Sequence, residues 1–309
     1  MPTKRNYKKE KHKRKTKKLK PMVCNPVVEN TSINNSCFTN DVLIKLKKSF
    51  NDSHPKNKIQ NNEPNKIWND LKNKLTNCNK EDCWLETITD ITVRNKIEKN
   101  AFAPKQPDKW TKNPKTWLTN IDILNVLKQY EKSYTNFRII GPTPIDFDTR
   151  PIENMGSCVW EELCNFKVQD YIDKKITKIG IVFNLDKHDE SGSHWVSMFI
   201  DLQDNFIFYL DSAGDPIPNE IKILVDRITK ESLKLSDPID LKYYDNNKVV
   251  HQMGNTECGM YSLFFIITML TNKHNNTKFK NIKNKLNFFK NKRITDSYIY
   301  KYRNRFFNL

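Results

Sequence analysis

The sequence predicts an α+β domain preceded by a small helical module and a basic tail. Three observations predict it. Between residues 178 and 210 lie three apolar, β-branched and aromatic runs of strand length, two of them joined by the polar turn Gln203-Asp204-Asn205. Apolar residues at helical spacing bracket those runs, from Trp117 to Tyr130 and from Ile217 to Ile228. Cys258 to Leu270 is continuously apolar and long enough for a buried helix.

In chain order, residues 1–20 form the tail. Eleven basic residues lie between Lys4 and Lys20 against one acid, Glu10. Like charges at this density repel, so the segment is expected to be disordered. It suits nucleic acid, a nuclear address or plain solubility. Residues 21–100 are Asn- and Lys-rich, with short helical patterns through Val42, Leu43, Ile44 and Leu46 and through Ile67, Trp68, Leu71 and Leu75. They read as an accessory, mainly helical module, with a loop from Ser53 to Pro64. Residues 101–309 form the main domain. There Asn120 is a candidate cap for the helix around Ile121–Leu127. Phe137–Ile140, Lys178–Leu185, His194–Leu202, Phe206–Leu210 and Leu241–Tyr244 read as strands. Residues 271–309 return to Lys and Asn, with an aromatic C-terminus.

Composition narrows the function classes. The net charge is +17, mean hydropathy is -0.76, and 37% of residues are hydrophobic. No apolar run approaches the ~18 residues that cross a bilayer. Seven cysteines, odd in number and scattered, argue against a disulfide scaffold and for a reducing compartment. No His is well placed beside Cys24, Cys37, Cys78 or Cys83 for a zinc site. No cofactor or metal is expected.

Three short blocks carry chemistry. His194 stands where the loop Gly192-Ser193 enters a strand. Alone, it reads more simply as a half-buried strand-end histidine. Asp211 follows the next strand, and hairpin pairing through residues 203–205 places it within about one strand pair of His194. A carboxylate there fixes an imidazole tautomer, though Asp also opens turns for its own reasons. Cys258 ends a polar loop and opens the apolar helix, where free N–H groups and the helix dipole favour a thiolate. That position argues against a mere filler thiol. Gln252 stands six residues before it as a candidate oxyanion donor, and Gly259 is expected to leave room for a substrate backbone.

The ordered set supplies nucleophile, base, orienter and oxyanion donor together. Its blocks, Gly192-Ser193-His194-Trp195, Tyr209-Leu210-Asp211-Ser212, Gln252 and Glu257-Cys258-Gly259-Met260-Tyr261, resemble the ubiquitin-like-protein protease family. That family includes SUMO-deconjugating enzymes, adenovirus proteinase and the core proteases of poxviruses and African swine fever virus. Upstream, Thr116-Trp117-Leu118 looks like the family's Trp-Leu helix entry, so the likeness covers roughly residues 110–270. The resemblance implies a papain-like core, a central mixed sheet flanked by helices. It implies Cys258 as nucleophile, His194 as base, Asp211 as orienter, and Gln252 with the Cys258 N–H as oxyanion donors. Trp117 and Trp195 would line a tunnel admitting only Gly-Gly, by exclusion of side chains.

The function expected is a viral cysteine endopeptidase that processes structural polyproteins after Gly-Gly or similar small-residue motifs. It would sit in the virion and the host cytoplasm, or alternatively the nucleus. The alternatives are a deconjugase for SUMO or another ubiquitin-like protein, an acetyltransferase on the same triad, and a nucleic-acid-binding protein with a vestigial site. The resemblance departs from the cellular enzymes in the upstream module and in Thr119-Asn120, which replaces an acidic entry.

Overall fold

The computed structural model describes residues 18–29, 31–33, 36–151 and 156–309. Lys4 to Lys17 of the basic tail therefore lie outside the described residues. The chain divides into two compact units, one built from the described residues of Met1–Cys24 and Val28–Phe102, the other from Asn25–Val27 and Ala103–Leu309.

The first unit contains α1 (Asn40–Ser53), α2 (Pro64–Lys74) and α3 (Ile91–Ala101), with a short 3-10 turn at Asp82–Thr87. Thr39 caps α1 and Asp90 caps α3 through their side chains, satisfying N–H groups that a helix start leaves open. Leu43, Leu46, Phe50, Ile67 and Leu71 point inward onto Phe38 and Trp84, while Ile44 lies on the outer face. The buried Glu81 carboxylate accepts the Cys37 N–H at 3.1 Å and the Trp68 indole N–H at 2.6 Å.

The second unit is built on a five-stranded sheet of order β1-β2-β3-β4-β5: β1 (Phe137–Pro144), β2 (Lys178–Asn184), β3 (Trp195–Asp201), β4 (Phe206–Leu210) and β5 (Lys242–Asp245). The two outer pairs are parallel and the β2-β3 and β3-β4 pairs antiparallel, so the sheet is mixed. Both faces are covered. Val182, Phe199, Phe206 and Phe208 face one core, and Ile181, Met198, Ile200 and Ile207 face the other. Burial on both faces explains why these strands read as continuous apolar runs instead of alternating ones.

Helix α4 (Asn120–Ser133) precedes the sheet, α5 (Glu161–Cys164) and α6 (Val168–Asp173) lie between β1 and β2, and α7 (Asn219–Ser232) leads into β5. Trp117 and Leu118 precede α4, and its cap is Thr119, not Asn120. The Thr119 hydroxyl accepts the Asp122 N–H while Asp122 accepts the Thr119 N–H, a reciprocal box that Asn120 has no partner to make.

Helix α8 (Cys258–Thr271) is buried from Cys258 through Leu270. It packs chiefly on β3. Gly180 makes room for it: a Cβ there would lie 2.9 Å from the Ile266 side chain. The Lys- and Asn-rich end of the chain folds onto α8 as part of the main domain. A small hairpin, β6 (Lys273–His274) and β7 (Thr277–Lys278), is followed by α9 (Ile282–Lys290), α10 (Asp296–Tyr300) and α11 (Arg303–Phe306). Leu286, Phe289, Ile299, Tyr302 and Phe306 are buried in the α8 core. Their spacing is broken by turns, so no single period announces them.

The cysteines also depart from expectation. Cys24–Cys37, Cys78–Cys83 and Cys158–Cys164 are disulfide-bonded, and Cys258 is the free one. Odd number and scattered spacing carried no information about pairing, because folding brings cysteines together irrespective of parity. Among the described residues no helix is long and apolar enough to cross a membrane.

Candidate active site

Three elements deliver three side chains to one place. The β3-β4 register pairs Ser197 with Leu210 and Asp201 with Phe206. Continued outward, it sets His194, just before β3, opposite Ala213 and Asp211, just after β4, opposite Val196, so the two are diagonal neighbours on one face. The His194 Nε2–H donates to Asp211 Oδ1 at 2.7 Å. With Nε2 so engaged, Nδ1 is the ring's other nitrogen, and the Cys258 sulfur is close enough to act on the charge of the ring. Cys258 is 2% exposed and is the first residue of α8.

The electrostatics favour a charged ring. Burial works to lower the His194 pKa, but the hydrogen bond to Asp211, then the nearby Cys258 sulfur and the charges of both, outweigh it and push it up to about 10. At neutral pH the proton therefore stays on the imidazole, between a carboxylate and a sulfur.

Asp211 is held from several sides. Its Oδ1 also accepts the Ala213 N–H at 2.8 Å. The buried Asn246 side chain accepts the Asp211 N–H at 3.0 Å and donates to the Asp211 carbonyl at 2.6 Å. A carboxylate anchored at both backbone ends can orient the ring with little freedom of its own.

Gln252 is 8% exposed. Its Oε1 accepts the Ser212 hydroxyl at 2.8 Å, and its Nε2 donates to the Gly254 carbonyl at 2.8 Å. The following turn is pinned by Asp296, whose Oδ2 accepts the N–H groups of Met253 and Gly254 at 3.0 and 2.9 Å. Glu257, immediately before the cysteine, forms a buried two-pronged pair with Arg303 at 2.6 and 3.2 Å. The guanidinium lies 4.1 Å from the Trp110 ring centroid and also donates to the Pro114 carbonyl.

Trp117 and Trp195 both line a cleft of about 620 Å³, with Pro142, Pro144 and Trp160. Trp117 is exposed, whereas the Trp195 indole is fixed by donating to the Leu118 carbonyl at 3.0 Å. Gly259 stands against the same residues. It is buried, and a Cβ there would lie 3.1 Å from the Leu118 side chain and 3.3 Å from Trp195. The glycine lets α8 lie against these residues. Sequence reasoning also passed over Ser212, Asn246, Asp296 and Arg303. Ser212 and Glu257 stood inside motifs already singled out, but nothing in spacing could show what they bond.

With this geometry in place the chain can be compared with known proteins. The Ulp1 protease family, C-terminal catalytic domain, matches residues 145–301. The chain belongs to the Ulp1 protease family. This is a family of cysteine-type peptidases, and its matched segment contains His194, Asp211, Gln252 and Cys258 but neither Trp117 nor Arg303. A protein of Acanthamoeba polyphaga mimivirus named as a thiol protease is 33% identical over 180 residues, 58% of this chain and 55% of the relative. The chain thus spans about half of that relative's length. A SUMO-1 cysteine protease of African swine fever virus is 28% identical over 204 residues, 62% of this chain and 68% of the relative. The crystal structure of an African swine fever virus protease superposes with a TM-score of 0.63 at 22% identity, covering 94% of this chain and 96% of the other. That likeness establishes the α+β fold.

Proposed function

We propose that the chain is a viral cysteine endopeptidase with Cys258 as nucleophile, His194 as acid and base, and Asp211 as orienter. One observation carries this: a single imidazole is bonded at Nε2 to a buried carboxylate and lies within electrostatic reach of the thiol that opens a buried helix. The sulfur attacks the scissile carbonyl carbon, and the developing oxyanion takes hydrogen bonds from Gln252 Nε2 and the Cys258 N–H. His194 then gives its proton to the departing amine, leaving a thioester. A water that loses its proton to His194 hydrolyses the thioester and restores the thiolate–imidazolium pair.

Substrates are proteins cut after Gly-Gly or a comparably small pair, selected because Trp117 and Trp195 crowd the approach. Structural polyproteins of a virus fit this reading, and the relatives are viral. The enzyme would act in the virion and host cytoplasm, with the basic segment Lys4–Lys20 on nucleic acid and residues 21–100 as an accessory module. A second reading, removal of a ubiquitin-like protein, is favoured by the relative named a SUMO-1 cysteine protease.

The test sets a short Gly-Gly peptide fluorophore beside a folded SUMO carrying the same fluorophore, with Cys258→Ala as control. Cleavage of the peptide by the wild type but not by the variant supports the endopeptidase. Rapid release from SUMO with poor peptide cleavage transfers the assignment to deconjugation. Undiminished turnover by Cys258→Ala ends both.

A further inference from the structure

The residue after the orienting carboxylate has no role in the mechanism above, yet it makes three hydrogen bonds to the segment that carries the oxyanion donor. Ser212 is 1% exposed. Its hydroxyl donates to Gln252 Oε1 at 2.8 Å. Its carbonyl accepts the N–H of His251 at 3.0 Å and the N–H of Gln252 at 2.8 Å. At the other end of the amide, Gln252 Nε2 donates to the Gly254 carbonyl. A carbonyl cannot donate, so Gly254 dictates which end of the amide is nitrogen. The other end is then oxygen, and the buried serine hydroxyl is its donor. An amide nitrogen carries two N–H groups, so one remains after Gly254 is served.

We propose that Ser212 is a positioning residue for the oxyanion. Acting through Gln252, it fixes the amide plane so that the second N–H is aimed before the charge forms. It also ties the two halves of the machinery together. Asp211 orients the imidazole and Ser212 orients the oxyanion donor, so consecutive residues set both, and Asn246 clamps the segment that contains them. The proposal rests on the peptidase reading. Its chemical reason is that donors held rigidly toward developing charge need no reorganisation during reaction. Without the hydroxyl, Oε1 loses its partner and the amide gains freedom to turn. The attack geometry of the sulfur is left alone, so substrate binding should hold while turnover falls. A fall in kcat on the order of tenfold is expected, bounded by the ~10²–10³ that loss of a whole oxyanion donor costs.

The experiment compares wild type, Ser212→Ala, Gln252→Ala and the double variant on a Gly-Gly peptide carrying a C-terminal aminocoumarin. Alkylation of Cys258 by iodoacetamide is followed across pH in parallel. Alkylation depends on the sulfur nucleophile but needs no oxyanion donor, so Ser212→Ala should keep the wild-type rate and pH profile. Its kcat should drop with KM unchanged, and the drop should vanish in the Gln252→Ala background. Three results overturn the assignment: kcat within about twofold of wild type, a full additional loss on top of Gln252→Ala, or a parallel loss of alkylation, which makes Ser212 merely structural. An inactive wild type overturns the peptidase reading itself and this proposal with it. An active wild type beside an unaffected Ser212→Ala overturns only the role of Ser212.

Discussion

Arg303→Met tests whether the residue before the nucleophile depends on an ion pair made by the C-terminal helix. The Arg303 and Glu257 side chains are 3% and 6% exposed, and the two bonds between them form a fork. Methionine can keep much of the packing on Trp110 but leaves the carboxylate buried without its partner. Breaking a buried pair from one side costs about 3–5 kcal/mol, because the remaining charge has neither water nor a counter-charge. For a unit of this size, about 2–4 °C per kcal/mol, that is a fall in Tm on the order of 6–20 °C. Thermal and urea unfolding measure it. The double variant Arg303→Met with Glu257→Gln should recover a large part, since no charge is then left behind.

The pH dependence has a definite sign. Burial raises the Glu257 pKa, against the lowering action of Arg303. A carboxyl raised on folding binds its proton more tightly in the native state, so its stabilising contribution is present in acid and is lost as pH rises through the folded pKa. Removing Arg303 removes the opposing influence and enlarges the shift. The cost of Arg303→Met should therefore be larger near pH 8 than near pH 5, roughly as linkage requires. A Tm within about 2 °C of wild type at both values would refute the reasoning, because it would mean that the pair contributes nothing.

Other outcomes follow from the same geometry. Asp211→Asn removes the strongest influence raising His194, so its pKa should fall from about 10. The alkaline limb of Cys258 alkylation and of kcat should move to lower pH, with kcat reduced by about 10²-fold or more; an unmoved limb contradicts the assigned partner. Gly259→Ala drives a methyl to 3.1 Å from Leu118 and 3.3 Å from Trp195, and urea unfolding should show a loss of about 1–3 kcal/mol. Trp117→Ala, at an exposed wall of the cleft, should leave stability nearly unchanged. It should raise kcat/KM for an Ala-Ala peptide relative to the Gly-Gly one, and an unaltered ratio removes Trp117 from selection.

Local pattern was informative wherever one element decided the outcome. Phe206–Leu210 has the limits its sequence suggests, and Cys258 opens the helix that its apolar run announces. The polar turn at residues 203–205 also implied the hairpin that makes His194 and Asp211 diagonal neighbours. Period and turn chemistry are properties of neighbouring residues, so one chain suffices to read them.

What needed the tertiary structure was every partner distant in the chain. Gly259 reads from sequence as room for a substrate backbone, which does not say that Leu118 and Trp195 arrive from elsewhere to lie against it. Residues 271–309 read as Lys- and Asn-rich with an aromatic end, which does not say that they cover α8 and send Arg303 to the residue before the nucleophile. Ser212 sits in a motif visible at once, but its bond to Gln252 spans forty positions. Hydrophobic period constrains which face of an element turns inward. It carries no information about which polar atom waits there, because a hydrogen bond depends on ångström-scale placement that only the packed chain establishes.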